Sequence, residues 1–326
     1  MNPVTDAYPH IMARVVVVGA GVIGLTSALA LEEAGHDVQV IAAAKGANTT
    51  SAAAGAIWYP FKVGPPEKAS KWAGATRQWL VDLASRHPEA GVDVLERTEL
   101  SDTDAKPWWA DATPGLRRIE STSSRPLPNG AKYGWLFDAP RCDPPIFLPW
   151  LERQLKKSIR LERVAALADL LKQERADFVI NSTGLGARAL TNDTQLQAIY
   201  GQTVIVAPGA INLQHCMGDE RDEARMFYSI PRRAEVVIGG CAEPCSDDRP
   251  TTTTRAMTDS ILSRTAAMGL EPGEVLRESA GLRPFRPTVR LERDAANPKI
   301  IHNYGHGGAG YTLCRGCADE VVALIG

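Results

Sequence analysis

The sequence predicts an α/β protein in which a Rossmann-like domain is interleaved with an α+β domain built on a mixed or antiparallel sheet. Three observations carry this. Residues 15–18 are an unbroken valine run, as expected of a strand buried on both faces of a parallel sheet, and the run enters Gly19-Ala20-Gly21-Val22-Ile23-Gly24. Alternating β-rich runs at 199–207, 226–230 and 235–240 read instead as antiparallel strands. Parallel-sheet pieces recur near both ends and in the middle of the chain, so the two domains interleave rather than follow one another.

In chain order, the valine strand and glycine turn lead into a helical pattern through Leu25, Leu29 and Leu31 that stops at Gly35, and a second strand takes residues 37–41. Strand, tight turn, helix and strand make a βαβ unit. Residues 69–85 form an amphipathic helix by their spacing. Residues 106–149 are rich in proline, glycine and tryptophan and read as loops and short strands. Val164, and then 177–181 running into Ser182-Thr183-Gly184, extend the parallel sheet. A helix is expected over 254–268, strands over 275–279 and 299–303, and a final helix over 311–324. No internal repeat is visible.

A chain of 326 residues exceeds what a single core usually sustains. Its net charge of -2 excludes a phosphate-tracking surface, so nucleic acid is not expected as a partner. No apolar run approaches the roughly 20 residues that span a bilayer. Residues 1–13 lack a basic start followed by an apolar stretch, and the closing Ala323-Leu324-Ile325-Gly326 is not a peroxisomal address. The expectation is a cytoplasmic protein with no membrane partner. Its oligomeric state stays open, a homodimer included. Six scattered cysteines are no secreted disulfide framework. Cys241 with Cys245 and Cys314 with Cys317 read as free thiols, and with no histidine set to complete a zinc site, no metal is expected.

In the glycine turn, Gly19 permits the tight bend, Gly21 lets backbone approach a pyrophosphate, and Gly24 allows helix and strand to pack closely. Ala20, Val22 and Ile23 complete this cofactor-binding stretch, where a helix N-terminus offers free N–H groups and partial positive charge. The carboxylate expected about 20 residues on, to hold the adenosine ribose, is missing. Ala42-Ala43-Ala44-Lys45 stands there, which leaves Ala43 and Ala44 to meet the nucleotide through backbone and weakens a generic NAD reading. The fingerprint alone does not separate NAD from FAD.

His302-Asn303-Tyr304-Gly305-His306-Gly307-Gly308-Ala309-Gly310-Tyr311-Thr312-Leu313 closely resembles the C-terminal signature of the D-amino-acid oxidase family, D-aspartate oxidases included. Thr49-Thr50-Ser51 with Ala53-Ala54-Gly55, Asn181-Ser182-Thr183-Gly184, Tyr228 with Ile230-Pro231, and Gly281-Leu282-Arg283-Pro284-Phe285-Arg286-Pro287 agree in order and spacing. The resemblance spans essentially the whole chain. It implies FAD as cofactor and assigns an FAD-binding domain to residues 1–65, 150–195 and 288–326, with a substrate-binding domain at 66–149 and 196–287. By the same resemblance Gly307, Gly310, Tyr311 and Thr312 contact the flavin, Thr49, Thr50 and Gly55 contact the cofactor, and Val164 and Ser182 lie near its adenosine half. Glycines suit such a loop, because a Cβ would block close passage of backbone over a flat ring. The helix that begins at Gly310 would present its positive end to the flavin as negative charge develops.

The resemblance also implies the substrate clamp. Arg283 grips the carboxylate with a planar fork, Tyr228 adds a hydroxyl donor, and the Gly308 carbonyl receives the amine. The implied reaction converts a neutral D-amino acid and dioxygen to a 2-oxo acid, ammonia and hydrogen peroxide by hydride transfer to the flavin, with no catalytic general base. One departure stands out: the tyrosine that family members with a lid carry four residues before the clamp tyrosine is Ala224 here, so the lid is short, absent or replaced by Met226 and Phe227, and a more open site is expected. His302 and His306 read as loop-ordering residues rather than as acid–base groups. Arg286 and Arg290 receive no site role. A D-aspartate oxidase would need a second cation aimed at the side-chain carboxylate, and Arg232 and Arg233 look like hairpin residues turned to solvent. The remaining rivals are a flavin amine dehydrogenase with another electron acceptor and a non-catalytic nucleotide-binding protein.

Overall fold

The computed structural model describes residues 12–326, so the stretch read above for targeting signals lies outside it except for Met12 and Ala13. In chain order the elements are β1 (Arg14–Val18), α1 (Val22–Glu33), β2 (Asp37–Ala42), α2 (Pro66–Arg86), β3 (Val92–Ser101), β4 (Arg117–Glu120), β5 (Tyr133–Cys142), α3 (Pro144–Gln154), β6 (Arg160–Leu161), α4 (Leu167–Gln173), β7 (Phe178–Asn181), α5 (Ala187–Thr191), β8 (Gln197–Val206), β9 (His215–Asp219), β10 (Phe227–Pro231), β11 (Val236–Gly239), β12 (Glu243–Cys245), α6 (Arg255–Ala267), β13 (Val275–Arg293), β14 (Ile300–His306) and α7 (Gly310–Ile325).

One continuous sheet runs through the molecule in the order β4-β5-β3-β9-β10-β11-β8-β13-β14-β7-β1-β2-β6, with β12 paired to β8. From β14 to β6 the pairings are parallel. The valine run of β1 follows directly from its place there. Val15 and Val17 pack in the cluster that holds α1 and α7, while Val16 and Val18 pack in the cluster that holds α4, so neither face of the strand meets water. On the α1 and α7 side a third layer closes over α7. The added Cβ of any larger residue at Gly316 would stand 2.3 Å from the Trp72 Cα, so this glycine lets α2 seat directly on α7.

The other half of the sheet is mixed, mostly antiparallel, and β13 joins the two. Its 19 residues pair antiparallel with β8 as far as Phe285, which also faces His306 on β14, and after a register shift with β14 again from Arg290. The strand expected over 275–279 is therefore much longer, and it crosses the assigned boundary at 287/288 without a break. Proline and glycine at 281–287 concealed it, because both are unusual inside strands, yet the register with β8 holds through Phe285.

Two further expectations are corrected. Residues 106–149 hold more than loops and short strands: β5 is ten residues long, with Phe137 and Ala139 in the core, and α3 opens at Pro144 and Pro145, where a helix tolerates missing N–H donors. β3 was not anticipated, since Asp93, Glu96, Arg97 and Glu99 interrupt its apolar pattern. Val164 lies just beyond the two-residue β6 rather than in a strand. All six cysteines are free thiols, as expected. Among the described residues no helix is long and apolar enough to cross a membrane, and no cluster of side chains could hold a metal ion.

Candidate active site

A cavity of about 700 Å³ crosses the carboxyl ends of the parallel strands and continues into the mixed half of the sheet. Its lining follows the strand order. Val164 lies after β6, Ala43 and Ala44 after β2, Gly19, Ala20, Gly21, Val22 and Ile23 after β1, Ser182 after β7, and Gly307, Gly308, Gly310 and Tyr311 after β14. Beyond these come Arg283 on β13, Tyr228 on β10, Glu220 after β9 and Arg97 on β3. Ligands in open α/β sheets bind at strand carboxyl ends where the topology reverses, and β1 is that point here, between β7 and β2.

At the nucleotide end, Gly19 has φ +119°, and a Cβ there would stand 2.3 Å from the Ser182 carbonyl oxygen. A Cβ on Gly24 would stand 2.0 Å from the Gly19 carbonyl oxygen, so Gly24 acts by packing and does not line the cavity. The first turn of α1 has neither a side-chain cap nor an acidic residue. Ser51 Oγ accepts from the Val22 N–H at 3.0 Å, which fastens the 49–55 segment to the glycine turn and brings Thr49, Thr50 and Gly55 onto the cavity wall. The acid missing from the end of β2 has a neighbour: Glu162 lines the cavity and its N–H donates to the Ala42 carbonyl at 2.9 Å.

The glycine loop is equally constrained. Gly305 and Gly307 have positive φ, and a Cβ on Gly308 would stand 2.7 Å from the Phe61 ring. The first turn of α7 likewise carries no side-chain cap and no acidic residue. The Thr312 hydroxyl accepts from the Tyr59 N–H and donates to the Tyr59 carbonyl, and Thr312 is not among the lining residues. His302, on β14, is hydrogen-bonded to Asn181 and Asp294. His306 differs: it is 3% exposed, its Nε2 has no partner in the protein, and burial pushes its pKa down to about 3. An imidazole that stays neutral at any working pH is no proton shuttle.

The residues fit FAD on grounds internal to the structure. Ser182 Oγ, Asn303 Oδ1 and His306 Nε2 are buried polar atoms on the cavity wall with no partner in the protein, an arrangement expected where a polar ligand completes the hydrogen bonding. Two helix N-termini with no cap from their own N-cap residue and no acidic first turn face the same space, one suited to a pyrophosphate and one to an electron-accepting ring.

Arg283 and Tyr228 meet in the mixed half. Arg283 Nη1 donates to the Cys241 carbonyl at 2.8 Å and to the Tyr200 carbonyl at 3.4 Å, which fixes the fork on the cavity wall. The Tyr228 hydroxyl lies within hydrogen-bond reach of that guanidinium; burial pushes its phenol pKa up while Arg283 pulls it down, and it remains a protonated donor. Both side chains lie across glycines. A Cβ on Gly201 would stand 2.4 Å from Arg283 Nη1, and one on Gly239, directly opposite Tyr228 on β11, would stand 2.2 Å from the Tyr228 ring. Ala224 sits in an exposed single turn, and Met226, not Phe227, reaches the cavity; Phe227 packs in the core of the mixed half.

Arg232 is corrected from solvent-facing to buried: it holds Glu235 and the Ala54 carbonyl, away from the cavity. Arg286 pairs with Asp193, and Arg290 donates to the Tyr304 hydroxyl. The reading from sequence missed Tyr59, Phe61, Arg97 and Glu220, which close the cavity beyond the clamp. No local pattern marks them, since they come from separate segments and two of them look like ordinary surface charges.

A dinucleotide crevice continuous with a pocket lined by Arg283 and Tyr228 fits an FAD-dependent oxidoreductase, and the family model described as FAD dependent oxidoreductase matches residues 14–324. The chain is 39% identical to D-amino-acid oxidase of Rubrobacter xylanophilus over 97% of each protein, and 30% identical to human D-aspartate oxidase over 96% of this chain and 94% of that one. It shares its fold with glycine oxidase from Geobacillus kaustophilus, with a TM-score of 0.77, 17% identity, and coverage of 96% of this chain and 95% of the other. The chain belongs to the D-amino-acid oxidase family of FAD-dependent oxidoreductases.

Proposed function

We propose that the protein oxidises D-amino acids, neutral side chains included, with dioxygen and water to 2-oxo acids, ammonia and hydrogen peroxide. The observation that supports this best is the position of the Arg283–Tyr228 pair in the same cavity as the 307–310 glycine loop. When bound, FAD accepts the hydride and passes its electrons to dioxygen.

The remaining work belongs to side chains and backbone. Arg283 offers the carboxylate a fixed cationic fork, and Tyr228 a second donor, so the substrate is held by one end. The Gly308 carbonyl accepts from the amine and sets the rotation about the Cα. Three anchored directions leave one orientation of the α-hydrogen, which is proximity and orientation catalysis with stereochemical choice. No general base is called on: Tyr228 holds its proton, and burial makes His306 a very weak base. Neutral side chains suit the far end of the cavity near neutral pH, because burial raises Glu220 to about 8 and keeps it protonated. An acidic side chain would meet an Arg97 whose charge Glu99 already balances through Nη2 at 2.5 Å, with Glu220 beside them, so the D-aspartate reading is less favoured.

Anaerobic mixing of the FAD-loaded protein with D- and L-alanine tests the proposal. Bleaching of the flavin band by the D-enantiomer alone, followed by peroxide release on admitting air, is the expected outcome. Bleaching by L-alanine, or by neither, would refute it.

A further inference from the structure

Beyond the clamp the cavity ends on charges that the proposed reaction does not use. Arg97 is 1% exposed and lines the cavity. Its Nη2 holds Glu99 Oε2 at 2.5 Å and its guanidinium lies 4.6 Å over the Tyr59 ring, yet its Nε and Nη1 have no partner. Glu99 Oε1 is likewise unpartnered. Glu220 lines the same space and accepts from the Tyr59 hydroxyl. The sheet makes room for this group. Gly218 lies opposite Glu99 on β9, and a Cβ there would stand 2.1 Å from Glu99 Oε2 and 2.2 Å from Arg97 Nη2. The buried pair therefore depends on that glycine.

The charge count decides what such an end would take. Two carboxylates, Glu99 and Glu220, face one guanidinium. The nearest other ions balance elsewhere: Lys62 pairs with Glu223 at 2.7 Å, and Asp219 with Arg221 at 2.8 Å. Once Glu220 is ionised, a ligand cation neutralises the group, whereas a ligand anion would add to its uncompensated buried negative charge. Phe61 and Met226 line the same cavity and offer apolar surface for a methylene stem. Tyr228 feels both Arg283 and Glu220, so the two ends flank one side chain.

We infer that Glu220, braced by Tyr59 and the Arg97–Glu99 pair, is the specificity-determining residue of a side-chain subsite for D-amino acids with a cationic side chain of lysine or ornithine length. This rests on the proposed deamination and names the side chain that the site selects over an isosteric neutral one. The group must ionise to hold the cation. Its proton is held by burial and by Glu99, against the pull of Arg97, Tyr59 and Lys62. Of the groups packed around it, Tyr228 stays protonated and Asp219 is held by Arg221. Selection therefore strengthens as pH rises toward and past about 8.

The test compares D-lysine with D-norleucine, which has the same stem without the ammonium group, on the FAD-loaded enzyme. The expected result is a ratio of kcat/KM for D-lysine over D-norleucine that rises at least about tenfold between roughly pH 6.5 and 8.5, since kcat/KM follows the free enzyme's ionisations. Glu220→Gln should flatten that rise and lower the ratio about tenfold at the alkaline end, for one charge-assisted bond lost. A pH-independent ratio in the unaltered protein, an unchanged ratio in Glu220→Gln, or preference for D-glutamate over D-lysine would overturn the inference while leaving the deamination standing. If neither D-norleucine nor D-alanine bleaches the flavin, the proposed function fails and this inference falls with it.

Discussion

Replacing Arg283 with leucine removes the one fixed cation at the clamp. The fork offers a carboxylate two charge-assisted hydrogen bonds, each about 1.5–3 kcal/mol, or about 3–6 kcal/mol together. At about 1.4 kcal/mol per decade, kcat/KM for D-alanine should fall roughly 10²- to 10⁴-fold. The same substitution strips the donor from the Cys241 and Tyr200 carbonyls, for about 1–2 kcal/mol of stability. It touches none of the cavity wall at the nucleotide end, so the purified variant should stay yellow. Arg283→Lys restores charge without the fork and should recover only part of the loss, because an ammonium is a point charge rather than a bidentate donor. Rapid anaerobic mixing, followed by the rate of flavin bleaching against D-alanine concentration, reads the effect directly. An Arg283→Leu protein that bleaches within about threefold of the parent would refute the clamp, since so small a change is less than the loss of one such bond.

Three further outcomes follow from the same geometry. Gly239→Ala drives a Cβ to 2.2 Å from the Tyr228 ring, so the phenol must swing off the carboxylate; KM for D-alanine should rise about tenfold, as for loss of one hydrogen bond to a charged group, and unchanged steady-state kinetics would count against it. Gly19→Ala strains a residue at φ +119° and collides with the Ser182 carbonyl; the protein should emerge colourless or bind added FAD at least about tenfold more weakly by fluorescence quenching, and normal retention would contradict the assigned turn. His306, pushed down to about 3 against an ordinary 6.5, leaves the unfolded chain binding the extra proton between those values. Its contribution to stability is thus intact above about pH 6.5 and is lost as pH falls toward 3, at up to about 1.4 kcal/mol per pH unit. His306→Gln should flatten the acid side of a chemical-unfolding profile, and an identical profile would show that the histidine is not held neutral.

What the sequence carried well was whatever is encoded by neighbours in the chain. A β-branched run followed by three glycines and a helix is a local object, and it appears where expected because its strand is buried on both faces and its turn needs φ values only glycine adopts readily. The 302–313 loop and Arg283 were legible for the same reason, each lying within a contiguous motif. Where local chemistry and tertiary context disagreed, the context prevailed. Proline at 284 and 287 is unusual inside a strand, yet β13 passes through, with Pro284 opposite Ala198 on β8 and the exchange to β14 beginning at Phe285.

The tertiary structure alone decided what faces what. Gly201, Gly218 and Gly239 look like ordinary strand interruptions until cross-strand pairing sets them under Arg283, the Arg97–Glu99 pair and Tyr228. Tyr59, Arg97 and Glu220 lie at least 38 positions from one another along the chain, a spacing with no period to read, and parallel pairing of β3 with β9 brings two of their segments side by side. Local sequence dictated the cofactor's turn and loop, because backbone conformation is a short-range property. The far wall of the substrate cavity had to await the fold, because electrostatic and packing partners are chosen by distance in space.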